Sequence, residues 1–115
     1  MRATIFHNPG CGTSRKTLEL LRENGVEVTV RGYLNDPPSR DELMHLYVRA
    51  GIRPRDGLRL KNPLATELGL TRSGASDDEV LNAMIEHPAL IERPIVETAA
   101  GVRQCRPPEK VLEIL

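Results

Sequence analysis

The sequence predicts one α/β domain over residues 1–115, with a mixed four-stranded sheet in the order β-α-β, a helical middle, then β-β-α. Three observations carry that expectation. Two β-prone stretches, ending at Phe6 and Val30, enclose a helical stripe, and so short a strand–helix–strand unit pairs its strands in parallel. Two Ser-x-x-Glu sequences, Ser39 to Glu42 and Ser76 to Glu79, open helical patterns in the middle. Near the C-terminus two short apolar runs flank Ala99-Ala100-Gly101, a hairpin loop, which adds an antiparallel pair.

Each element follows from local chemistry. Thr4-Ile5-Phe6 is apolar and β-prone and reads as the first strand. After the turn Asn8 to Thr13, Leu18, Leu20 and Leu21 form a helical stripe from Ser14, stopped at Asn24-Gly25, where both residues tolerate the left-handed conformation. Val26, Val28 and Val30 alternate with polar residues as a second strand. Leu43, Leu46, Tyr47 and Ala50 give the second helix one face, and Gly51 ends it. Residues 52–75 read as irregular, with one or two short helices and a run of basic residues: Arg53, Arg55, Arg59, Lys61 and Arg72. Val80, Leu81, Met84 and Ile85 form the next stripe, which Pro88 stops; a helical turn follows at 89–91. Residues 95–98 and 102–105 read as strands. Pro107-Pro108-Glu109 opens a last helix, where a missing N–H costs nothing, with Val111, Leu112 and Leu115 expected inward.

Composition narrows the function classes. Hydrophobic residues make up 39% and charged residues 28%, a balance that builds a core, and no apolar run reaches the roughly 18 residues of a membrane span. The N-terminal residues turn polar too soon for a signal peptide, so the expected location is the cytoplasm, with no membrane partner. Sixteen basic and sixteen acidic residues cancel, and aromatic residues are only 3%, which argues against a nucleic-acid partner. Thirteen of the basic residues are arginine, whose planar fork fits oxyanions, although a GC-rich coding sequence has the same signature.

Cys11 stands at the strand-to-helix turn. Unpaired N–H groups and the positive end of the helix dipole meet there, and both favour a thiolate over a thiol. Gly10 and Gly12 let the backbone wrap an anion, whether the thiolate or an incoming oxyanion. Thr13 and Ser14 add hydroxyl donors and Arg15 a cation. Asn8 is placed either to hold the loop or to donate to the anion, and Ser14 either to donate to the thiolate or to cap the helix. Cys11-Gly12-Thr13-Ser14 lacks the second thiol of a dithiol motif, so reducing power must come from an external thiol. It also lacks the arginine six positions on that closes a phosphatase-type Cys-x5-Arg loop, since Thr17 stands there.

The element order is similar to that of thioredoxin-like domains. The run His7 to Arg15 further resembles the active-site signature of the glutathione- and glutaredoxin-coupled arsenate reductases. So do Tyr33-Leu34 with Pro37 to Leu43, Glu92-Arg93-Pro94-Ile95-Val96, and Cys105-Arg106-Pro107, in one register across the chain. The resemblance implies reduction of arsenate to arsenite through a covalent bond between Cys11 and arsenic, with glutathione as cosubstrate, glutaredoxin as partner, and no bound metal or organic cofactor. It places Arg93, Arg106 and Arg59 around the anion, together with Asn8, Gly12, Thr13 and Ser14. The local sequence Arg59-Leu60-Lys61-Asn62 departs from the family's Arg-Lys-Asn pattern, which leaves Arg59 or a neighbour as the mid-chain ligand. It also implies a cis peptide before Pro94 and tuning of the cysteine by His7, with Arg15 as a nearby cation. For His7 the residues alone allow either a protonated imidazole favouring the thiolate or a strand-end histidine bonded to backbone.

Cys105, at a strand end, reads as a buried structural thiol. His45 and His87 lack metal-ligand spacing, so no metal site is expected. Two other functions fit the same residues: a related thiol oxidoreductase acting on another oxyanion or thiol adduct, and a redox-linked regulatory binding protein of the same fold. Ser14, standing where a second cysteine would complete a redox sensor, argues against the latter.

Overall fold

The N-terminal β-prone stretches form β1 (Arg2–Phe6) and β2 (Glu27–Arg31), joined by α1 (Gly12–Glu23). They pair in parallel, from Arg2 opposite Glu27 to Phe6 opposite Arg31. The C-terminal runs form the hairpin β3 (Ile95–Thr98) and β4 (Gly101–Gln104), antiparallel to each other, with β3 antiparallel to β1. The sheet order is β2-β1-β3-β4, the mixed four-stranded sheet that the sequence predicts. The computed structural model describes all 115 residues and divides them into two units, Met1–Asp36 with Arg93–Leu115, and Pro37–Glu92.

In the first unit, Ala3 and Ile5 of β1 share one sheet face with Val96 of β3. Leu21 of α1, Val26, Cys105, Val111 and Ile114 complete this core, and Leu18, Leu20 and Val28 pack against it. Burying a side chain of this size contributes about 1.5–3 kcal/mol, and Leu21 anchors α1 to this core. Two sequence expectations change here. Val30, expected to share the inward face of Val26 and Val28, is exposed, because β2 is an edge strand with a neighbour on one side only. The last helix is a 3-10 helix, Pro108–Ile114. Its three residues per turn put Val111 and Ile114 inward and turn Leu112 out to 47% exposure, contrary to an α-helical reading of the same stretch. Thr98 Oγ1 ties this helix to the hairpin, donating to the Ile114 carbonyl at 2.7 Å and accepting from Ala100 N–H at 3.1 Å.

The second unit holds α2 (Arg40–Ala50), α3 (Pro63–Glu67) and α4 (Asp77–Glu86), with 3-10 turns at Pro54–Gly57 and Pro88–Leu90. At Ser39 the capping box is reciprocal: Glu42 N–H donates to Ser39 Oγ at 3.1 Å, and Ser39 N–H to Glu42 Oε1 at 3.3 Å. Gly51, at φ 72°, supplies the left-handed residue that ends α2. At Ser76 only half of the expected box forms. Glu79 N–H donates to Ser76 Oγ at 3.1 Å, but Arg72 holds the Glu79 carboxylate in an ion pair. The irregular stretch is tied down by arginines. Arg53 Nη2 lies 3.0 Å from Asp77 Oδ1, and Arg55 Nη2 donates to the Ala75 carbonyl at 3.0 Å. Tyr47, Leu43, Leu46, Val80, Leu81 and Met84 are buried on facing sides of α2 and α4, and Tyr47 Oη donates to Met84 Sδ at 3.7 Å. No helix is long and apolar enough to cross a membrane.

Candidate active site

The turn from β1 into α1 is held by side chains and backbone together. Cys11 occupies the N-cap of α1 in an extended conformation, φ −101° and ψ 120°, so the helix N–H groups that follow lack intrahelical partners and are free to point at its sulfur. Asn8 braces the turn from three atoms. Its Oδ1 accepts from Gly10 N–H at 2.9 Å, its carbonyl from Cys11 N–H at 3.0 Å, and its own N–H donates to Ser14 Oγ at 3.1 Å. Arg15 Nη1 donates to the Pro9 carbonyl at 2.7 Å and closes the outside of the turn. Of the two alternatives for Asn8, the structure gives it the loop-holding contacts; for Ser14, the hydroxyl faces Asn8 and His7 and the backbone N–H faces the thiol.

Two guanidinium groups reach the same sulfur from the far end of the sequence. Arg106 Nη1 lies 3.6 Å from Cys11 Sγ and also donates to the Arg93 carbonyl at 3.1 Å. Arg93 donates to the sulfur as well. They precede and follow the β3–β4 hairpin, whose pairing with β1 brings both beside the N-terminus of α1. Each stands before a cis proline, Pro94 and Pro107. The first of these cis bonds agrees with the resemblance; the second was not anticipated, although Arg106-Pro107 repeats the same dipeptide.

The electrostatic result is a thiol that ionises below the ordinary cysteine range. Partial burial works against ionisation. The Ser14 backbone N–H, the Arg93 and Arg106 side chains and the Thr13 N–H outweigh it, because each stabilises the charged form. Gly12, between Cys11 and these donors, is exposed, so the backbone beside the sulfur is open to an incoming group.

His7 is buried at 8% exposure, with Nδ1 2.6 Å from Ser14 Oγ. Burial pushes its pKa down, and the Arg22 and Arg15 charges push the same way, so the neutral ring is favoured. Its side-chain contact is thus to a hydroxyl, while its backbone N–H bonds the Arg31 carbonyl at 2.8 Å. Arg22 was not singled out in the sequence; its i+7 spacing from Arg15 was the available signal. Arg59 belongs to the second unit, where Nη1 lies 2.7 Å from Glu92 Oε1 in a largely buried ion pair. Cys105 is fully buried among apolar residues, and burial pushes its thiol up to about 12, as a structural cysteine requires.

Comparison with known proteins identifies the family. Residues 6–114 match the model of the ArsC family. An arsenate reductase of Rhizobium meliloti (strain 1021) is 51% identical over 115 residues, all of this chain and 82% of the relative. An arsenate reductase of Escherichia coli (strain K12) is 52% identical over 112 residues, 97% of this chain and 79% of the relative. Among solved structures, an arsenate reductase from Vibrio cholerae superposes with a TM-score of 0.95 at 48% identity, covering 100% of this chain and 98% of the other. The fold is therefore the thioredoxin-like one that the element order suggested, and this chain belongs to the ArsC family.

Proposed function

We propose that this chain reduces arsenate to arsenite, with Cys11 as the nucleophile and glutathione and glutaredoxin as the source of electrons. The observation that carries the reading is a thiol held toward its charged form by two backbone N–H groups and two arginines at one point. Similarity to arsenate reductases over the whole chain supports arsenate as the substrate.

The chemistry explains the arginines. Arsenate brings about two negative charges to a thiolate that brings a third. Two unit charges at 4 Å repel by roughly 4 kcal/mol at an effective dielectric of 20, enough to suppress attack about a thousandfold. Arg93 and Arg106, already at the sulfur, offset that repulsion, and a guanidinium can bind two oxygens at once as the new bond forms. The exposed Gly12 N–H at the start of α1 offers a further donor to the anion. Asn8 and Arg15 hold that turn in shape, and Ser14 Oγ, bonded to His7, keeps the ring beside it. The role expected of Arg59 rests on the resemblance alone.

In the first step the Cys11 sulfur forms a bond to As(V) and an arsenate oxygen leaves as water after protonation. A glutathione thiolate then bonds to the same arsenic and a second oxygen leaves as water. The thiolate of glutaredoxin attacks the glutathione sulfur. The As–S electron pair stays on arsenic, giving As(III), and the two attacking thiols are oxidised to a mixed disulfide. Hydrolysis of the remaining S–As(III) bond releases arsenite and restores Cys11. Arsenate-dependent NADPH oxidation, coupled through glutathione reductase in the presence of glutathione and glutaredoxin, tests this sequence. Wild type is expected to turn over and Cys11→Ser to fall to background; no turnover by wild type rejects the assignment.

A further inference from the structure

The sheet has two outer strands, β2 and β4, and their edges are finished differently. On β4 the Cys105 N–H bonds the Pro94 carbonyl, so by antiparallel alternation Val102 and Gln104 point their backbone groups away from β3. Both outward carbonyls are already taken, Val102 by Arg103 Nη1 at 2.8 Å and Gln104 by the Arg106 N–H at 3.0 Å. On β2 the Glu27 N–H donates to the Met1 carbonyl at 2.9 Å, and the Arg31 carbonyl accepts from the His7 N–H at 2.8 Å. Residues 27, 29 and 31 therefore face β1, and the N–H and C=O groups of Val28 and Val30 face outward with no side chain or loop bonded to them. The strand also lacks the usual devices that blunt an edge. No proline, lysine or bulge interrupts its register with β1, and Val30 is 45% exposed.

The sequence of β2, Glu27-Val28-Thr29-Val30-Arg31, is complementary to itself when reversed. Set antiparallel about Thr29, Val28 of one copy stands opposite Val30 of the other, and Glu27 opposite Arg31. The backbone parity agrees. The outward-facing residues are the ones that meet, so Val28 and Val30 exchange N–H and C=O bonds on either side of the axis, and the two Thr29 residues form the non-hydrogen-bonded pair between them. A slip of one residue sets Val28 against Thr29, whose groups are bonded to β1; a slip of two keeps the bonds but separates the charges. On one face the valines cover each other. On the other, Arg31 is held over the Phe6 ring at 5.3 Å, and Arg2 beside Glu27 and Asp36 beside Arg31, each at 3.3 Å, leave every end of the interface with two charges of each sign. The Arg2–Glu27 pair is exposed, so it holds Glu27 only weakly.

We propose that the β2 edge is an interface for a second copy of this chain, paired antiparallel about Thr29 as a two-fold dimer that joins two four-stranded sheets into one. The contact is one strand wide, which places it among weak interfaces that fill at high protein concentration. It uses none of Cys11, Arg93 or Arg106, so it stands or falls independently of the arsenate reaction.

Sedimentation equilibrium of the reduced full-length protein, from micromolar to millimolar, tests it. The mass should rise from 12.8 kDa toward twice that value, and a chain that stays monomeric at millimolar concentration overturns the proposal. Val30→Lys, at an exposed edge position, should abolish the rise; a dimer that survives it forms through another surface and also overturns the proposal. The two-fold axis repeats each pair, so Glu27→Arg turns two attractive contacts into two repulsive ones and should weaken the dimer about tenfold. An unchanged dissociation constant contradicts the register. A direct reading comes from wild type alone, in a mixture of isotope-labelled and unlabelled chains. An Hα–Hα contact between Thr29 of one copy and Thr29 of the other is expected, since such opposed residues stand about 4.5 Å apart between Cα atoms. Its absence in a sample that is dimeric by mass overturns the pairing.

Discussion

At the scale of single residues, the two cysteines are chemical opposites by placement alone. Cys11 caps a helix, is only partly buried and has two arginines acting on its sulfur; Cys105 sits in the core with its thiol pushed up to about 12. Thiolate is the species that alkylates, so native protein at neutral pH should take up one equivalent of iodoacetamide quickly, all of it at Cys11, and a second only after denaturation. Fast native labelling of Cys105 would contradict the burial described. The same shift couples ionisation to stability. Because the folded Cys11 pKa lies below the unfolded one, this group adds stability above the unfolded thiol's pKa, and that contribution disappears as pH falls through the folded value. Much of this was legible in the sequence, since a cysteine between two glycines at a strand-to-helix turn has few other uses. The part that was not legible is relational. Nothing in the order of residues says that His7 meets Ser14 rather than the thiol, or that Arg15 braces Pro9.

At the scale of elements, caps and strands followed their local signals and helix type did not. The Ser39 box and the Gly51 stop formed as their residue types require, because each is satisfied within four positions. The Ser76 box formed by half because Arg72, outside the motif, competes for Glu79. The C-terminal helix shows a different limit. Val111, Leu112, Ile114 and Leu115 are apolar at spacings that suit either helix type, and packing against α1 and β4 selected the 3-10 form. The two registers make opposite demands. Ile114→Ala should cost about 2–5 kcal/mol in urea unfolding, the usual range for emptying a packed aliphatic site. Leu112→Ala should stay within about 0.5 kcal/mol, as for an exposed position. A reversed ranking would restore the α-helical reading.

At the scale of the whole molecule, the thiolate is a product of the fold. Cys11 and Arg106 are 95 positions apart, and only the pairing of β3 with β1 puts the arginines on either side of the hairpin beside the start of α1. A net charge of zero gives the chain no general affinity for anions, so anion chemistry has to be made locally, by convergence. The resemblance of four separated segments pointed to this convergence, whereas composition and periodicity alone left each arginine indistinguishable from a solvated surface charge. The most direct measurement is therefore the pH dependence of Cys11 alkylation, read on the Cys11 peptide by mass spectrometry, for native wild type, native Arg93→Ala and Arg106→Ala, and wild type in denaturing urea. The native inflection should lie below that of an ordinary cysteine, each arginine variant should move it upward, and urea should return it to the ordinary range. One and the same inflection in all four samples would contradict the account.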